Sequence, residues 1–150
     1  MQPEPPRSPT RRKQDTLARL DRDMDAWVAS ADREGNAHLV PLSFLWDGAA
    51  LTLATAETTP TARNLRTSRR VRMALGQTRD VVIIEGTVET FARETVPLDL
   101  ADAFAAKFWD ARVGQTRYAF FRVTPRRIQA WRNEAEAAGR DLMRGGRWLV

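Results

Sequence analysis

The sequence contains no cysteine and a single histidine, His38. Disulfide bonds, thiolate metal sites and metal sites built from a histidine cluster are therefore excluded. It has no run of about 18 or more apolar residues, so no membrane-spanning helix is predicted. The opening residues, MQPEPPRSPTRRKQ, place no apolar stretch after their charges, unlike a secretory signal. A cytoplasmic location is the resulting expectation.

Much of the positive charge lies near the N-terminus. The chain carries 24 Lys and Arg residues against 19 Asp and Glu residues, a formal net charge of +5. Residues 1–13 contribute +3 of this, and the rest of the chain has a surplus of only +2. Because a nucleic-acid-binding face needs a basic patch on the folded body, we do not expect nucleic acid as a partner.

Short alternating segments dominate the pattern. Residues 1–11 are rich in proline and predicted to be a disordered tail, whereas residues 12–150 are predicted to form one domain. Helices are expected at about 12–24, 58–70 and 97–110, with a short helix capped by Asn133 and Glu136. Extended segments are expected at 26–31, 38–46, 50–55, 71–76, 81–91, 118–125 and 126–131. This order predicts a mainly β, α+β fold: an antiparallel barrel or sandwich of six or seven strands.

The clearest candidate site is the start of the helix predicted after the third strand. A helix N-terminus presents free backbone N–H groups and partial positive charge, which suit a phosphate. Arg63 adds a guanidinium that can bind phosphate oxygens in pairs, beside the hydroxyls of Thr55, Thr58, Thr59 and Thr61. The alternative is an ordinary helix start, with Thr59 as the cap and Pro60 in the first position, that binds nothing.

A second candidate is the arginine-rich C-terminal region, where Trp131 and Trp148 occur among seven arginines. Aromatic faces can stack on a flat heterocycle and arginine can pair with its anionic groups, although a solvated edge strand would have a similar composition. The sequence has no glycine-rich phosphate loop and no nucleophile elbow. An enzyme without such machinery needs a cofactor to carry the chemistry.

Four segments within about residues 24–132 form an ordered series: AWVASADREGNAHLVPLSFLWDGAALTLAT, TTPTARNLRTSRRVRMAL, VVIIEGTVETF and FFRVTPRRIQAW. Taken in this order, they resemble the pyridoxamine-phosphate-oxidase-like superfamily of split β-barrel flavin- and deazaflavin-dependent oxidoreductases. The resemblance implies a split β-barrel of the FMN-binding type.

The resemblance also implies positions for the cofactor. The strand from His38 to Ser43, through Val40, Pro41 and Leu42, would face the isoalloxazine ring with its backbone. The phosphate would be bound by Thr55, Thr59, Thr61, Arg63 and Asn64, and Glu85-Gly86-Thr87 would lie near the cofactor on a central strand. Trp131 would approach the ring from the partner subunit, together with Arg140 or Arg144.

One departure bears on these expectations. Many members of the superfamily have lysine where this chain has Thr61, and the loss of that charge weakens the phosphate site. The C-terminal substrate pattern of the vitamin B6 oxidases is incomplete, so we do not expect that activity. FMN is the expected cofactor and the deazaflavin coenzyme F-420 the alternative, in an oxidoreductase acting on a small organic substrate. A non-catalytic protein that binds haem or another cofactor is the alternative function.

A homodimer is expected, with a shared face that borders the cofactor. Five aromatic residues exceed what a small barrel interior can hold, so some are predicted to line the partner surface: Phe44, Trp46, Phe120, Phe121 and Trp131.

Overall fold

The computed structural model describes residues 4–150, so the part of the predicted tail at residues 1–3 lies outside the described residues. The helices are α1 (Pro9–Arg22), α2 (Pro60–Ser68), α3 (Leu98–Lys107) and α4 (Glu134–Ala137). The strands are β1 (Asp25–Ala31), β2 (Ala37–Trp46), β3 (Leu51–Ala56), β4 (Arg70–Gln77), β5 (Asp80–Phe91), β6 (Tyr118–Trp131), β7 (Asp141–Arg144) and β8 (Arg147–Trp148).

Six of these strands close into an antiparallel barrel. Their order is β3-β2-β1-β4-β5-β6, and β3 also pairs with β6, which closes the sheet on itself. Strands β7 and β8 extend the sheet from β6 outside the barrel. The predicted mainly β split barrel is therefore confirmed. Among residues 4–150, no helix is long and apolar enough to cross a membrane.

Alternation along the strands fills the barrel. In β1, Ala26 and Val28 are buried while the residues on either side of Ala26 are exposed. The interior is filled by large apolar side chains, among them Phe44, Leu53, Met73, Ile84 and Phe121. Burying one such side chain contributes about 1.5–3 kcal/mol, so this cluster is the main source of stability.

The aromatic residues expected at a partner surface lie mostly inside. Phe44, Phe120 and Phe121 are fully buried and Trp46 is 9% exposed, so the expectation that the interior cannot hold them is wrong. Of the five, Trp131 alone is left for a partner surface. The barrel interior holds Phe44, Trp46 and Phe121. A second apolar cluster, which includes Phe104 of α3, accommodates Phe120 with the two ring centroids 6.1 Å apart.

The predicted tail is shorter than expected, because α1 begins at Pro9 with Ser8 as its N-cap. The Ser8 hydroxyl accepts a hydrogen bond from the Arg11 backbone N–H at 3.1 Å. Before the helix, the Arg7 guanidinium donates to Glu136 at 2.8 Å. The composition of this segment predicted disorder, but the bond from Arg7 to Glu136 anchors it to α4.

The segments expected at 118–125 and 126–131 form one strand, β6, which continues through Pro125. An irregularity in the pairing with β5 permits this, since a β-bulge tolerates a residue without an N–H. Glu85 pairs with Arg127 and Gly86 pairs with Pro125, so Arg126 is the extra residue of the bulge. The short strands β7 and β8 were not predicted, because two to four residues carry too little periodicity.

Candidate functional site

The barrel is split along β2. Its first part, Ala37–Ser43, pairs with β1 on one edge, while β3 pairs with β2 only over Phe44–Trp46. The other edge of β3 pairs with β6 from Leu51 to Ala56, so Ala54–Ala56 pair with β6 alone. In residues 4–150 no strand occupies the other edge of Ala37–Ser43. Alternate residues of an edge strand direct their N–H and C=O groups outwards, so this edge offers hydrogen-bonding groups to a ligand.

A shallow pocket of about 400 Å³ lies between β2 and the end of β3. It brings together four of the predicted cofactor residues, Pro41, Leu42, Ser43 and Thr55. Leu42, Ser43 and Thr55 are only partly exposed or buried, whereas Pro41 is exposed. The Ser43 hydroxyl donates to Asp25 Oδ1 at 2.9 Å, which fixes its orientation.

Two aromatic residues of this pocket were missed by the sequence analysis. Trp109 and Tyr118 line it with their rings edge to face, 5.7 Å between centroids. Trp109 follows α3 and is 42% exposed, and Tyr118 begins β6. No local sequence pattern predicts that either residue lines this pocket, because they reach it only through the pairing of β6 with β3.

The start of α2 has the cap that the sequence predicts. The Thr59 hydroxyl accepts a hydrogen bond from the Ala62 N–H at 3.1 Å and donates to the Ala56 carbonyl at 3.0 Å. Pro60 occupies the first turn, and the first turn of this described helix contains no acidic residue. Arg63 is exposed, and its guanidinium donates to the Thr58 carbonyl at 2.9 Å. This end of α2 is therefore positive and accessible.

Two of the residues predicted around a phosphate face the protein instead. Thr61 is 1% exposed, and its enclosed hydroxyl has no hydrogen-bond partner within residues 4–150. Asn64 is 9% exposed and donates to the Ser30 hydroxyl at 3.1 Å. Positions three apart share one face of a helix, and here that face packs on the barrel. Among the predicted phosphate ligands, Arg63 and Thr59 are thus the accessible side chains.

His38 and Val40 lie on β2 with half-buried side chains. On the opposite face of the strand, Leu39 is 59% exposed, and on β1 its neighbour Trp27 is 51% exposed. Trp27 pairs with Pro41, and Ala29 pairs with Leu39. The outer face of β1 and β2 is therefore an apolar surface open to solvent.

Trp131 and Arg140 are close to each other but not to the other predicted residues. The Arg140 guanidinium lies 5.2 Å from the centre of the Trp131 ring. Trp131 ends β6 and pairs with Val81 at the start of β5. Around the closed barrel β3 alone lies between β6 and β2, but β3 pairs with Tyr118–Val123, whereas Trp131 is at the opposite end of β6. A single chain therefore does not bring Trp131 to the open edge of β2.

Lys107 at the end of α3 supports this region from within. Its ammonium group donates to the carbonyl oxygens of Asp23 at 2.8 Å and Phe44 at 3.1 Å. Burial lowers the pKa of Lys107, and nearby Asp side chains partly oppose the shift. The lysine ties the chain before β1 to the point at which β2 leaves β3.

Comparisons with known proteins agree with this architecture. HutZ, the haem storage protein from Vibrio cholerae, has a TM-score of 0.68 at 12% identity, over 79% of this chain and 94% of that chain. A FAD-binding protein from Mesorhizobium loti has a TM-score of 0.59 at 20% identity, over 77% and 89%. An F-420 reductase has a TM-score of 0.55 at 18% identity, over 74% and 93%. No curated protein matches the chain.

At these identities the solved structures support the fold alone. A family model, by contrast, matches residues 15–132, which include the barrel from β1 to β6. That model describes pyridoxamine 5'-phosphate oxidase. The chain therefore belongs to the pyridoxamine 5'-phosphate oxidase family of split β-barrel proteins.

Proposed function

We propose that this protein is an oxidoreductase that binds a flavin-type cofactor along the open edge of β2 and acts on a small organic substrate. The unpaired edge of Ala37–Ser43 is the observation that carries the proposal. A flavin ring has a flat apolar body and one edge of N–H and C=O groups. An unpaired strand edge matches that set of donors and acceptors without any charged side chain.

The start of α2 is the proposed seat of the cofactor phosphate. It follows directly from β3, whose last residues border the pocket beside β2. Arg63 supplies a full positive charge in the first turn and the helix terminus supplies partial charge. The accessible groups fit a phosphate, while Thr61 and Asn64 would contribute to the position of the helix rather than to direct contact.

FMN is the preferred cofactor because it carries a terminal phosphate that this end of α2 can accept. The deazaflavin coenzyme F-420 is the alternative, and the family neighbours include an F-420 reductase as well as a FAD-binding protein. When bound, such a cofactor supplies hydride or electron transfer. The residues of this chain bind its edge, orient its phosphate and, through Trp109 and Tyr118, limit the access of water.

The proposal includes a homodimer. Trp131 and Arg140 form an aromatic–guanidinium pair away from β2, so they would reach a ring on β2 only in a second copy of the chain. The exposed Trp27 and Leu39 provide an apolar surface next to that ring. Exposed apolar surface of this kind commonly marks an interface between subunits.

The first test is the absorption spectrum of the freshly purified protein, followed by titration with FMN, F-420 and haem. A flavin or deazaflavin spectrum and binding of the corresponding cofactor are expected. A haem spectrum without flavin binding would replace this proposal with a haem-binding protein, as the likeness to HutZ would allow.

The second test locates the phosphate. Arg63→Ala should weaken FMN binding by about ten- to a hundredfold, because a charge-assisted hydrogen bond is worth about 1.5–3 kcal/mol. Riboflavin, which lacks the phosphate, should bind the variant and the parent equally. The matched control is Arg66→Ala, one turn further along α2, where the guanidinium contacts the Glu57 carbonyl at 2.9 Å. Equal FMN affinities in the parent and in Arg63→Ala would show that the cofactor phosphate does not bind at the start of α2.

The third test concerns the dimer. Sedimentation should show a dimer at micromolar concentration, and Trp131→Ala should weaken cofactor binding without loss of the dimer. A monomer that still binds the cofactor would contradict the proposed assembly.

A further inference from the structure

A groove of about 720 Å³ opens where β1 and β4 separate. These strands pair only over Trp27–Ala29 and Arg72–Ala74, and beyond these pairs they diverge. The groove shares no lining residue with the pocket beside β2. It contains Glu85, Gly86 and Thr87, the segment of β5 that the resemblance placed near the cofactor. Four arginines line it: Arg70, Arg72, Arg126 and Arg127.

The bulge in β6 creates much of this basic lining. Arg126 and Arg127 are adjacent in sequence, yet both are exposed, between the buried Pro125 and Ile128. In a regular strand, successive side chains point to opposite faces. Because Arg126 is the extra residue of the bulge, both arginines line the groove. The Arg126 guanidinium leans towards Gly146, in the turn between β7 and β8.

Two of the four arginines are already neutralised. Glu85 pairs with Arg72, and its other oxygen lies 3.8 Å from Arg127. Arg127 also pairs with Asp141 at 3.1 Å. In contrast, Arg70 and Arg126 form no ion pair with any residue in the range 4–150. The groove therefore retains two uncompensated guanidinium groups.

The second carboxylate of the groove, Asp32, is engaged in its own turn. It accepts hydrogen bonds from the Glu34 N–H at 3.0 Å and from the Asn36 N–H at 2.9 Å. The Asn36 side chain also donates to it at 3.0 Å, and this bond contributes most to holding the pKa of Asp32 below its usual value. Asp32 is therefore not a counter-ion for Arg70 or Arg126.

The two uncompensated arginines flank one position of β5. Arg70 on β4 pairs with Thr87, and Thr87 pairs in turn with Thr124, two residues before Arg126 on β6. Neighbouring strands lie about 4.8 Å apart, so β4 and β6 are separated by about 10 Å across β5. Arg70 and Arg126 border the groove on either side of that gap, and Arg126 would turn away from Gly146 to meet an anion above Thr87. The hydroxyls of Ser30, Ser68 and Thr87 line the same groove.

We propose that this groove binds the phosphate group of a small molecule other than the cofactor, between Arg70 and Arg126. A phosphate monoester carries about −1.5 to −2 charges at pH 7, which two guanidinium groups balance. Arginine also matches phosphate oxygens in pairs. The bound molecule would lie beside the outer face of β1 and β4. A neighbouring pocket that contains Arg63 shares Ala31, Asp32 and Ser68 with this groove.

Titration of the full chain with inorganic phosphate, by calorimetry at fixed ionic strength, tests the site. Arg70→Ala and Arg126→Ala should each weaken binding about tenfold or more, because each removes a charge-assisted hydrogen bond. The matched control is Arg79→Ala, which removes the same charge from the turn between β4 and β5 and should bind like the parent. Arg70→Gln and Arg126→Gln repeat the test with a neutral side chain that is larger than alanine and therefore disturbs the packing less.

Three results would overturn the proposal: no phosphate binding by the parent, equal binding by all variants, or the same loss in Arg79→Ala as in the groove variants. A further titration in saturating FMN tests whether the site is separate from the cofactor. Phosphate affinity should be unchanged in the presence of FMN. Displacement of phosphate by FMN but not by riboflavin would show that the groove holds the cofactor phosphate and would overturn a separate site.

Discussion

Arg7 and Glu136 form a two-pronged ion pair although 129 positions separate them in the sequence. The guanidinium donates to the two carboxylate oxygens at 2.8 and 3.0 Å, and the Arg7 backbone N–H donates at 2.8 Å. The Glu136 side chain is 1% exposed and that of Arg7 is 10% exposed. The pair fastens the segment before α1 to α4.

Arg7→Ala should lower the free energy of unfolding by about 3 kcal/mol, because removal of one partner leaves a buried carboxylate without its counter-ion. The matched control is Arg11→Ala, whose side chain is 67% exposed and pairs with Asp15 at 3.0 Å. An exposed pair of this spacing is worth about 0.3–0.5 kcal/mol. Urea unfolding of both variants measures the difference. Similar losses would show that the buried Arg7–Glu136 pair contributes no more stability than the exposed Arg11–Asp15 pair.

The same pair predicts an acid-sensitive stability. The hydrogen bonds from Arg7 lower the pKa of Glu136 to about 2 in the folded chain, whereas an unfolded glutamate has a pKa of about 4.3. The unfolded state therefore binds the proton more readily, so the contribution is complete above about pH 4.3 and is lost as the pH falls towards 2. This contribution to the free energy of unfolding is on the order of 3 kcal/mol, from the difference between the two pKa values of Glu136.

Glu136→Gln should be less stable than the parent at pH 6 and should lose less stability between pH 6 and pH 3. The measurement is urea unfolding at both values. Some acid sensitivity should remain, because hydrogen bonds from Arg144 and Arg127 also lower the pKa of Asp141 to about 2. An undiminished pH dependence in Glu136→Gln would exclude this glutamate as its source.

Thr61 and Thr59 should respond in opposite directions to the same substitution. Thr61→Val removes an enclosed hydroxyl that lacks a partner in the described chain, so stability should stay equal or rise by up to about 1 kcal/mol. Thr59→Val removes the cap of α2 and should cost about 1 kcal/mol. Thermal unfolding without cofactor compares the two variants. A large loss in Thr61→Val would show that its hydroxyl has a partner.

Gly86→Ala should destabilise the barrel by about 1–3 kcal/mol. An added Cβ would lie 2.6 Å from Val123 Cγ1 and 2.9 Å from the Thr124 carbonyl oxygen. The matched control is Gly139→Ala, where no atom lies within 4 Å of the added carbon. The control should change stability little, and equal effects at the two positions would mean that β5 and β6 can separate at the bulge.

Local signals in the sequence were sufficient to predict most strands and turns of the barrel. Asp47-Gly48 predicts the turn between β2 and β3, and Gly48 has a φ of 95°, a conformation that glycine adopts without strain. Thr59 and Pro60 predict the start of α2. Alternation predicts β1 and β5 because one face of each is buried.

Interactions between distant segments could not be predicted from local patterns. The partner of Arg7 lies in α4, and the pocket formed with Trp109 and Tyr118 depends on the return of β6 to β3. The bulge at Arg126 is equally hidden, since it is defined by the register with β5. The resemblance to a known family selected His38–Ser43 as the strand beside the cofactor, but the open edge of this strand and the enclosure of Thr61 became visible only in the folded chain.

The position of α1 has a consequence for synthesis on the ribosome. Arg12 in this helix is 3% exposed, and its guanidinium donates to the carbonyl oxygens of Ala130 at 2.9 Å and Gly139 at 2.8 Å. A nascent chain emerges from its N-terminus, so α1 leaves the ribosome more than 100 residues before these acceptors exist. Until then the Arg12 guanidinium stays in water, and this part of α1 can complete its docking only after the end of β6 and Gly139 have been synthesised.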